Sequence, residues 1–362
     1  MNRTVREVRT GSPVNEYLIY GANGYTGALI AREAARRGHR PILAGRNAEA
    51  VAALAAELNL PHRAFPVDDS AALAAGVAGV RLVLNCAGPF TRTASRMVEA
   101  CLQTGCHYLD VTGEIAVFEA MAARDAAAKS AGVMVMPGVG FDVVPSDCLA
   151  VHLKRRLPAA TCLVLGFQGH GGFSRGTLTT MAENFHRGGV IRRAGQLTRV
   201  PACWKTRTID FGRGPVVAMA IPWGDVATAW YSTRIPNIEV YMAASWKQRW
   251  LARLSRAFGW LLGSGPMQRW FKRQIQASPP GPTDEQRARG ESLLWGEASD
   301  DAGQSVVSRL RGPEGYSLTA MCSLAVIERV LKGEAPMGYQ TPAMAYGPDF
   351  ILTIPGVVRT DA

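Results

Sequence analysis

Three glycines, Gly21, Gly24 and Gly27, stand in the stretch YGANGYTG, between a short apolar run and a long Ala/Arg-rich stretch. Where a strand passes into a helix, such glycines permit a sharp turn, let backbone approach a pyrophosphate and leave the N–H groups of the helix N-terminus free to bind it. The spacing is GxxGxxG, a variant of the GxGxxG fingerprint. The pattern predicts a dinucleotide site, and a tight turn without a ligand is the alternative.

The second apolar run, PILAGRN, indicates which dinucleotide would bind. NAD and FAD sites usually carry an acid at the end of this strand for the ribose hydroxyls. Here the strand ends in Gly45, Arg46 and Asn47, with no acid in reach. A guanidinium can pair bidentately with a 2′-phosphate and stack on adenine. Arg46 therefore predicts NADP(H) as the cofactor, unless it is a solvated residue that only happens to end a strand.

Two further stretches are predicted to contact the cofactor. Asp68, in FPVDD, could bound the adenine pocket, or it could be the N-cap of a helix that begins at Ser70. The stretch NCAGPF ends the fourth strand, where the sheet edge faces the nicotinamide ribose; a structural turn is the alternative. The predicted contacts outside the glycine loop are Arg46, Asn47, Asp68, Asn85, Ala87, Gly88, Pro89 and Phe90.

A hydride transfer also needs a proton donor for the atom that is left negative. The candidates at predicted strand ends are Cys86, Tyr108, Asp110, Glu114 and Asp142. Asp142 is the preferred donor, because Tyr108 and Asp110 could instead serve packing and helix capping, and Cys86 could be a small buried hydrophobe. No tyrosine is followed by a lysine four residues later, which argues against the short-chain dehydrogenase mechanism.

A glycine-rich stretch, GFQGHGGFSRGTL, offers a substrate the polar side chains of His170, Ser174 and Arg175. A flexible connection between a strand and a helix explains the same residues without a function. The six histidines show neither HxxxH nor HxH spacing, so no metal site is predicted.

These residues need a scaffold, and short apolar runs alternate with helical stretches from Glu16 to Met136. Such alternation indicates βαβ units with a parallel sheet covered on both faces. The predicted fold class is α/β: an N-terminal Rossmann doubly wound parallel sheet plus a C-terminal α+β substrate domain with an antiparallel sheet. The predicted divisions are a flexible arm (1–15), a dinucleotide-binding Rossmann domain (16–145), a substrate domain (146–325) and a C-terminal segment (326–362) that can return to the Rossmann domain.

Charge and cysteine content limit the classes of partner and the location that are expected. The 40 Lys and Arg against 29 Asp and Glu give a net charge of +11, which favours anionic partners; no recognised module accompanies the charge, so nucleic acid is not expected. The seven cysteines form no CxxC pair, which suits a reducing, cytoplasmic location. Neither a signal peptide nor a spanning helix is predicted.

A basic, tryptophan-rich stretch covers residues 246–273. One helical arc of this stretch carries Trp246, Trp250, Leu254, Phe258 and Leu261, and the opposite arc carries Arg249, Arg253 and Arg256. Lys247 and Trp260 break the pattern, each on the wrong face. Three interpretations stay open: a core or oligomer helix, a lid over an apolar substrate, and peripheral membrane contact. The basic face would also suit an acidic carrier protein. A homo-oligomer is expected.

The glycine loop, NCAGPF, HYLDVTGE, GVGFDVVPSD, GFSRGTL and the tail GYQTPAMAYG occur in this order from about residue 16 to 350. Together they resemble the saccharopine dehydrogenase-like oxidoreductases, particularly the trans-acting enoyl reductase branch. The resemblance implies NADP(H) as cofactor and reduction of a C=C or C=N bond in a small-molecule or acyl substrate that is hydrophobic or carrier-bound. A non-catalytic NADP-binding scaffold or sensor with the same fold is the alternative.

The resemblance also assigns residues. Gly21, Asn23, Gly24, Tyr25, Thr26 and Gly27 fall on the family's pyrophosphate-binding turn, and Arg46 falls on its adenosine-phosphate position. Phe141 and Asp142 fall on the hinge between domains, near the expected cleft. The cationic set that saccharopine-forming enzymes need for a diacid amino-acid substrate is not recognisable in this sequence.

Overall fold

The fold is seen in a computed structural model, which describes residues 17–170, 172, 174–184, 188–262 and 264–362. The arm predicted for residues 1–15 lies outside the described residues. The elements of the first half, in chain order, are β1 (Tyr17–Tyr20), α1 (Tyr25–Arg36), β2 (Ile42–Gly45), α2 (Ala48–Leu58), β3 (His62–Ala64), α3 (Ser70–Val77), β4 (Leu82–Asn85), α4 (Phe90–Thr104), β5 (His107–Asp110), α5 (Ile115–Ala122), α6 (Asp125–Ala131), β6 (Met134–Met136) and α7 (Val144–Arg156).

The second half follows in the same manner. Its elements are β7 (Cys162–His170), α8 (Arg175–Asn184), β8 (Gly189–Arg193), β9 (Gln196–Val200), β10 (Thr206–Asp210), β11 (Pro215–Ala220), α9 (Asp225–Thr233), β12 (Asn237–Ala243), α10 (Trp246–Leu262), α11 (Gly265–Ala277), α12 (Asp284–Arg289), β13 (Glu291–Ser299), β14 (Ser305–Pro313), α13 (Gly315–Leu331), β15 (Gly338–Tyr339), α14 (Pro342–Tyr346) and β16 (Val358–Asp361), with a 3₁₀ turn at Phe350–Thr353.

The first sheet has seven parallel strands in the order β3-β2-β1-β4-β5-β6-β15. Its central strands β1, β2 and β4 are buried at every position, because helices cover both faces and an apolar side chain is needed on each. The predicted Rossmann sheet is confirmed. The seventh strand, β15, comes from the C-terminal segment and pairs with β6.

The second sheet follows the order β10-β11-β12-β7-β13-β14-β16, and the hairpin β8–β9 joins it at β12. The predicted antiparallel arrangement holds for its pairs except one, since β7 and β12 run parallel. That pair is connected through a long excursion that includes α8, β8–β11 and α9, and parallel neighbours require such a crossover.

The two sheets are joined by a loop after β6, residues 137–143, which we call the hinge. Helix α13 fixes it from the side: Thr319 Oγ1 accepts a hydrogen bond from the Phe141 amide at 3.0 Å, and Ser323 Oγ donates to the Val139 carbonyl at 3.3 Å. The same helix packs along α1. The edge of the Rossmann sheet and the second sheet therefore face each other across the hinge.

Helix α10 carries the first part of the tryptophan-rich stretch. Trp246 and Trp250 are exposed, so the interpretation that they pack in the core of this chain is wrong. The side chains of Phe258 and Trp260 lie outside the described residues. In the part of the chain that the structure describes, no helix is both long and apolar enough to cross a membrane.

Candidate functional site

The candidate site is the cleft where the carboxyl ends of β1, β2, β4 and β5 and the hinge meet the second sheet. In open α/β sheets, ligands bind outside these strand ends. The loops that follow these strands hold the residues that the sequence singled out. The cleft has a cofactor side, made of the Rossmann strand ends, and a hinge side, made of the hinge, β7, α7, α9 and the start of α13.

The glycine loop, residues 21–27, is built for a close backbone approach. Gly21 has φ +78°, and a Cβ there would lie 2.8 Å from the amide nitrogen of Ala87. Helix α1 begins after Gly24 with no side-chain cap and no acid in its first turn, so its N-terminal N–H groups and partial positive charge are left for an anion. The arrangement fits a pyrophosphate at this turn.

Arg46 lies at the adenosine end of the cleft. It is exposed just after β2 and forms no ion pair with the residues that the structure describes. Burial raises the pKa of Tyr20, while the charge of Arg46 lowers it and that of Asp68 raises it, so both charged groups lie near the Tyr20 hydroxyl. Asn23 Oδ1 lies against Gly45 at the end of the same strand. A free guanidinium here fits a 2′-phosphate.

Two further predicted cofactor contacts, Asn47 and Asp68, lie after β2 and β3. The Asn47 side chain caps α2 by accepting from the Ala50 amide at 3.0 Å. The N-cap of α3 is Asp69, which accepts from the amides of Ala71 and Ala72; the alternative that Asp68 caps this helix is wrong. Asp68 is exposed, and it stays a prediction for the adenine pocket.

The NCAGPF turn is held by hydrogen bonds that leave mainly backbone beside the glycine loop. Asn85 is buried; its Nδ2 donates to Thr93 Oγ1 and Tyr108 OH, and its Oδ1 accepts from the Ala87 amide. The amide of Phe90, which follows Gly88 and Pro89, donates to Glu114 Oε1 at 2.8 Å. Glu114 therefore caps α4 from a neighbouring loop.

Three of the candidate proton donors lie under this turn: Tyr108 and Asp110 are buried, and Cys86 is half-buried. Tyr108 has no exposed surface, and its hydroxyl donates to Asp110 Oδ2 at 2.7 Å. Asp110 Oδ1 accepts from the amides of Thr112 and Gly138, and burial raises its pKa to about 6. Burial also raises the pKa of Cys86. In this structure Tyr108 and Asp110 position the loops after β5 and β6, and Cys86 is a neutral thiol.

Asp142, on the hinge, is in a different situation. Its side chain is partly exposed, its Oδ2 packs against Gly113 after β5, and its carboxyl accepts no hydrogen bond from the described residues. Burial raises its pKa to about 7. Its backbone carbonyl accepts from Trp223 Nε1 at 3.0 Å. The carboxyl group is thus held at the sheet edge with its oxygen atoms available to a ligand.

Aromatic side chains line the hinge side. The ring of Phe167 lies 4.7 Å from that of Trp223 and 6.3 Å from that of Phe141. The ring of Tyr316 contacts that of Tyr25 in the glycine loop at 5.0 Å. Burial raises the pKa of Tyr316, and the charge of Asp142 raises it further. The Ser174 and Thr177 side chains and the Ser174 amide lower this pKa, but they do not cancel the rise. Together these rings make a mostly apolar wall.

The loop before α8 supports this wall. The Ser174 amide donates to Tyr316 OH at 2.6 Å, and Thr177 Oγ1 lies 3.0 Å from the same oxygen. Arg175 Nε donates to the Ser278 carbonyl. The His170 side chain lies outside the described residues. Segment 278–287 reaches back to the glycine loop, where Tyr25 OH donates to the Pro282 carbonyl at 2.6 Å.

Two more carboxyl groups lie behind Asp142. Asp147 is buried on α7; its Oδ2 accepts from the Ala343 amide, and its Oδ1 has no partner among the described residues. Asp225, at the start of α9, is buried, and neither of its oxygens accepts a hydrogen bond from the described residues. Burial raises the pKa of Asp225 well above its usual range; the nearby Ser146 hydroxyl opposes this, and the charges of Asp147 and Asp142 add to it.

Sequence reasoning missed Trp223, Tyr316 and Asp225. Each comes from the C-terminal half, and each stands at a helix start, in the stretches PWGD and EGYS, where turn and capping residues are expected anyway. Among the described residues, no group of three or more His, Cys, Asp or Glu side chains is arranged to hold a metal ion.

Comparisons with known proteins agree with this geometry. Residues 17–136 match the family model of the saccharopine dehydrogenase NADP binding domain. A putative trans-acting enoyl reductase of Mycobacterium tuberculosis is 33% identical over 184 residues, which are 46% of this chain and 43% of that protein. The trans-acting enoyl reductase of Mycobacterium ulcerans is 30% identical over 221 residues, 55% of this chain and 52% of that protein. The aligned segments thus span about half the length of these relatives.

A solved structure extends the likeness to the second sheet. The apo saccharopine dehydrogenase (L-Glu forming) of Saccharomyces cerevisiae superposes with a TM-score of 0.63 at 12% sequence identity, covering 96% of this chain and 99% of that one. At this identity the match shows a common fold.

Proposed function

We propose that this chain, whose residues 17–136 are a saccharopine dehydrogenase NADP-binding domain, is an NADPH-dependent reductase of a C=C or C=N bond. Bound NADPH supplies the hydride. The glycine loop, with Gly21, Asn23 and Gly24 to Gly27, would hold the pyrophosphate, and Arg46 would hold the 2′-phosphate. The protein must then orient the acceptor, exclude water and provide a proton.

The observation that carries the proposal is the carboxyl group of Asp142. It lies at the sheet edge beside Gly113, without a hydrogen-bond partner in the described part of the chain, and with a pKa of about 7. At neutral pH a substantial fraction of this group is protonated, so it can donate a proton to the atom that the hydride leaves negative. A donor whose pKa is near the working pH is the most effective.

Tyr316 is a second polar group on the same wall. Its oxygen accepts the Ser174 amide, which leaves the phenolic hydrogen for Thr177 or for a substrate atom. Its raised pKa keeps it neutral. We infer that Tyr316 orients the substrate carbonyl or nitrogen, while Asp142 transfers the proton.

The proposed substrate class rests on the aromatic wall of the hinge side and on the net charge of the chain. Phe141, Phe167 and Trp223 present apolar surface, which suits a hydrophobic acyl or ring substrate. The net charge of +11 and the relatives named trans-acting enoyl reductase support a substrate presented on an acidic carrier protein.

The test has two parts. Fluorescence titration should detect NADPH binding, and NADPH oxidation should then be followed with enoyl thioesters and cyclic imines. We expect turnover with one of these classes, and in Asp142→Asn a loss of kcat of roughly a hundredfold to a thousandfold with unchanged NADPH affinity.

Asp301→Asn is the matched control, because Asp301 is an exposed acid in the turn between β13 and β14; it should retain the activity. Failure to bind NADPH would remove the proposal. Tight binding without turnover on either class would favour a sensor or scaffold instead.

A further inference from the structure

Helices α10 and α11, residues 246–277, form a surface that we call the basic Trp segment. From Ser245 to Thr283 the sequence contains no Asp or Glu, while it contains the cations Lys247, Arg249, Arg253, Arg256, Arg269, Lys272 and Arg273. These seven cations are a large part of the excess that gives the chain a net charge of +11. The segment is therefore a local concentration of positive charge without an internal counter-charge.

Three tryptophans of this segment are exposed to solvent. Trp246 is 66%, Trp250 61% and Trp270 52% exposed. Trp246, Trp250 and Leu254 follow each other at i, i+4 and i+8, on one face of α10, whereas Ala252, on the opposite side of the helix, is buried. An ordinary surface helix has the reverse orientation, with its apolar stripe toward the core. Large apolar surface exposed in this manner marks an interaction site.

Cations stand next to the exposed rings. Lys247 Nζ lies 5.8 Å from the centroid of the Trp246 ring, and Arg249 donates to the Ala244 carbonyl at the base of the helix. Tryptophan rings favour the headgroup level of a bilayer, and helices with Trp and Leu on one face and Lys or Arg on the other lie in the bilayer interface. The composition and the orientation of α10 both fit this mode.

Charge decides between the occupants of such a surface. In a symmetric dimer the same patch meets itself, so these cations would face an identical set of cations with no acid in the segment to pair with them. An anionic headgroup layer presents the opposite charge to these cations. We propose that the basic Trp segment docks on an anionic phospholipid bilayer, with Trp246, Trp250 and Trp270 inserted at headgroup level.

The docking surface is connected to the cleft through α8. Gln268 Nε2 on α11 donates to the Ala182 carbonyl on α8 at 3.1 Å, and the other end of α8 carries Thr177, which contacts Tyr316 OH in the cleft. A bilayer bound at α10 and α11 would thus be one helix away from the wall of the cleft. The proposal concerns binding only, so it stands or falls independently of the reductase activity.

The experiment is co-sedimentation of the full chain with vesicles. Vesicles of phosphatidylcholine alone are compared with vesicles in which half of the lipid is phosphatidylglycerol. We expect the partition coefficient to be at least about tenfold higher for the anionic vesicles and to fall with added salt. The triple variant Trp246→Ala, Trp250→Ala, Trp270→Ala should lose roughly tenfold or more. Because these side chains are exposed, its circular dichroism and melting temperature should match the wild type.

Met337→Ala is the matched control, since Met337 is an equally exposed apolar residue outside the segment; it should bind vesicles like the wild type. Equal binding to neutral and anionic vesicles, or no loss in the triple variant, would overturn the proposal. It would also be overturned if the triple variant abolished self-association in sedimentation velocity, or capture by an acidic carrier protein, while vesicles were not bound.

Discussion

On the cofactor side of the cleft the buried polar side chains are held by hydrogen bonds, whereas on the hinge side two carboxyl groups accept none from the part of the chain that the structure describes. Asn85 and Asp110 each make bonds to neighbouring loops. Asp142 accepts no hydrogen bond from the described residues, and both oxygens of the buried Asp225 lack a partner. Leaving a buried polar group unsatisfied costs about 1–3 kcal/mol, so the hinge side carries strain that the cofactor side avoids.

The difference separates two ways of binding. On the cofactor side, polar side chains are used up in fixing loops, and the surface left for the ligand is backbone, as at Gly21 and Ala87. On the hinge side, side chains keep their titratable groups free. Unsatisfied or pKa-shifted groups cluster at functional sites in proteins. The comparison supports the proposed division, with cofactor recognition on one side and proton transfer on the other, and each of the following variants tests one side.

The largest effect is expected for Gly21→Ala on the cofactor side. The left-handed φ of +78° disfavours alanine, and its Cβ would meet the Ala87 amide at 2.8 Å. We expect NADPH affinity to fall by more than about a hundredfold and the free energy of unfolding to fall by roughly 2–4 kcal/mol. Titration and thermal melts measure both.

Gly38→Ala separates the backbone strain from the steric clash, because Gly38 has φ +81° but nothing within 4 Å of an added Cβ. It should cost only about 1 kcal/mol of backbone strain and keep its NADPH affinity. If Gly21→Ala bound NADPH as tightly as Gly38→Ala, the close backbone approach would not matter for recognition.

The hinge side is tested by the pH dependence of turnover. Asp142 must be protonated to donate, and its pKa is about 7. Above this pH, kcat should fall by about tenfold per pH unit, since the protonated fraction falls by that factor. In Asp142→Asn the residual kcat should no longer decrease in this manner above pH 7. If the decrease of kcat above pH 7 persisted in Asp142→Asn, the proton donor would be another group, with Tyr316 as the first candidate.

A smaller effect is expected from Arg46→Ala. A charge-assisted pair with the 2′-phosphate contributes about 1.5–3 kcal/mol, so NADPH affinity should drop by roughly tenfold to a hundredfold while NADH affinity stays constant. Arg40→Ala removes the same charge from the opposite end of the strand, where Arg40 is exposed and donates to the Asn59 carbonyl. Equal losses in both variants would mean that only the overall charge matters.

The sequence predicted the cofactor side better than the hinge side, for a physical reason. The central Rossmann strands β1, β2 and β4 are buried on both faces, so their apolar runs are visible in the sequence. The glycine loop and Arg46 directly follow two of these runs. Strand β15 has two residues and carries no pattern. The pairing of β7 with β12 depends on a crossover through several elements, so its parallel direction is not encoded in either strand.

The hinge side is assembled from distant segments. Asp142, Trp223 and Tyr316 come from three different elements, and only tertiary packing brings them together. Asp225 lies in the first turn of α9. Acids are common at this position because they interact favourably with the helix dipole, so the sequence alone does not mark Asp225 as unusual. Asp68 is the predicted alternative N-cap of α3, whereas the structure has the adjacent Asp69 in that position.

The last prediction concerns stability and the unpartnered Asp225. Burial raises its pKa in the folded state far above the value of about 3.9 for an unfolded chain. The folded state therefore holds a proton that the unfolded state has released, and the free energy of unfolding falls as pH rises from about 4 toward the raised pKa. Asparagine does not ionise, so in Asp225→Asn the free energy of unfolding should lack the part of the pH-dependent decrease that Asp225 causes. We expect the variant to be close to wild type near pH 4 and more stable by about 1–2 kcal/mol at pH 8, as measured by urea unfolding.

Asp349→Asn provides a control of opposite sign. The Asp349 pKa is lowered by its hydrogen bond from Arg359 at 2.6 Å, so its contribution is present above the unfolded pKa and lost as pH falls through the lowered value. Because Asp349 is largely exposed, at 66% of its side-chain surface, this variant should lose at most about 0.5 kcal/mol, and only above pH 4. If Asp225→Asn were instead destabilising at pH 8, the Asp225 carboxylate would have to be stabilised by a ligand or partner, and the hinge side would be as well satisfied as the cofactor side.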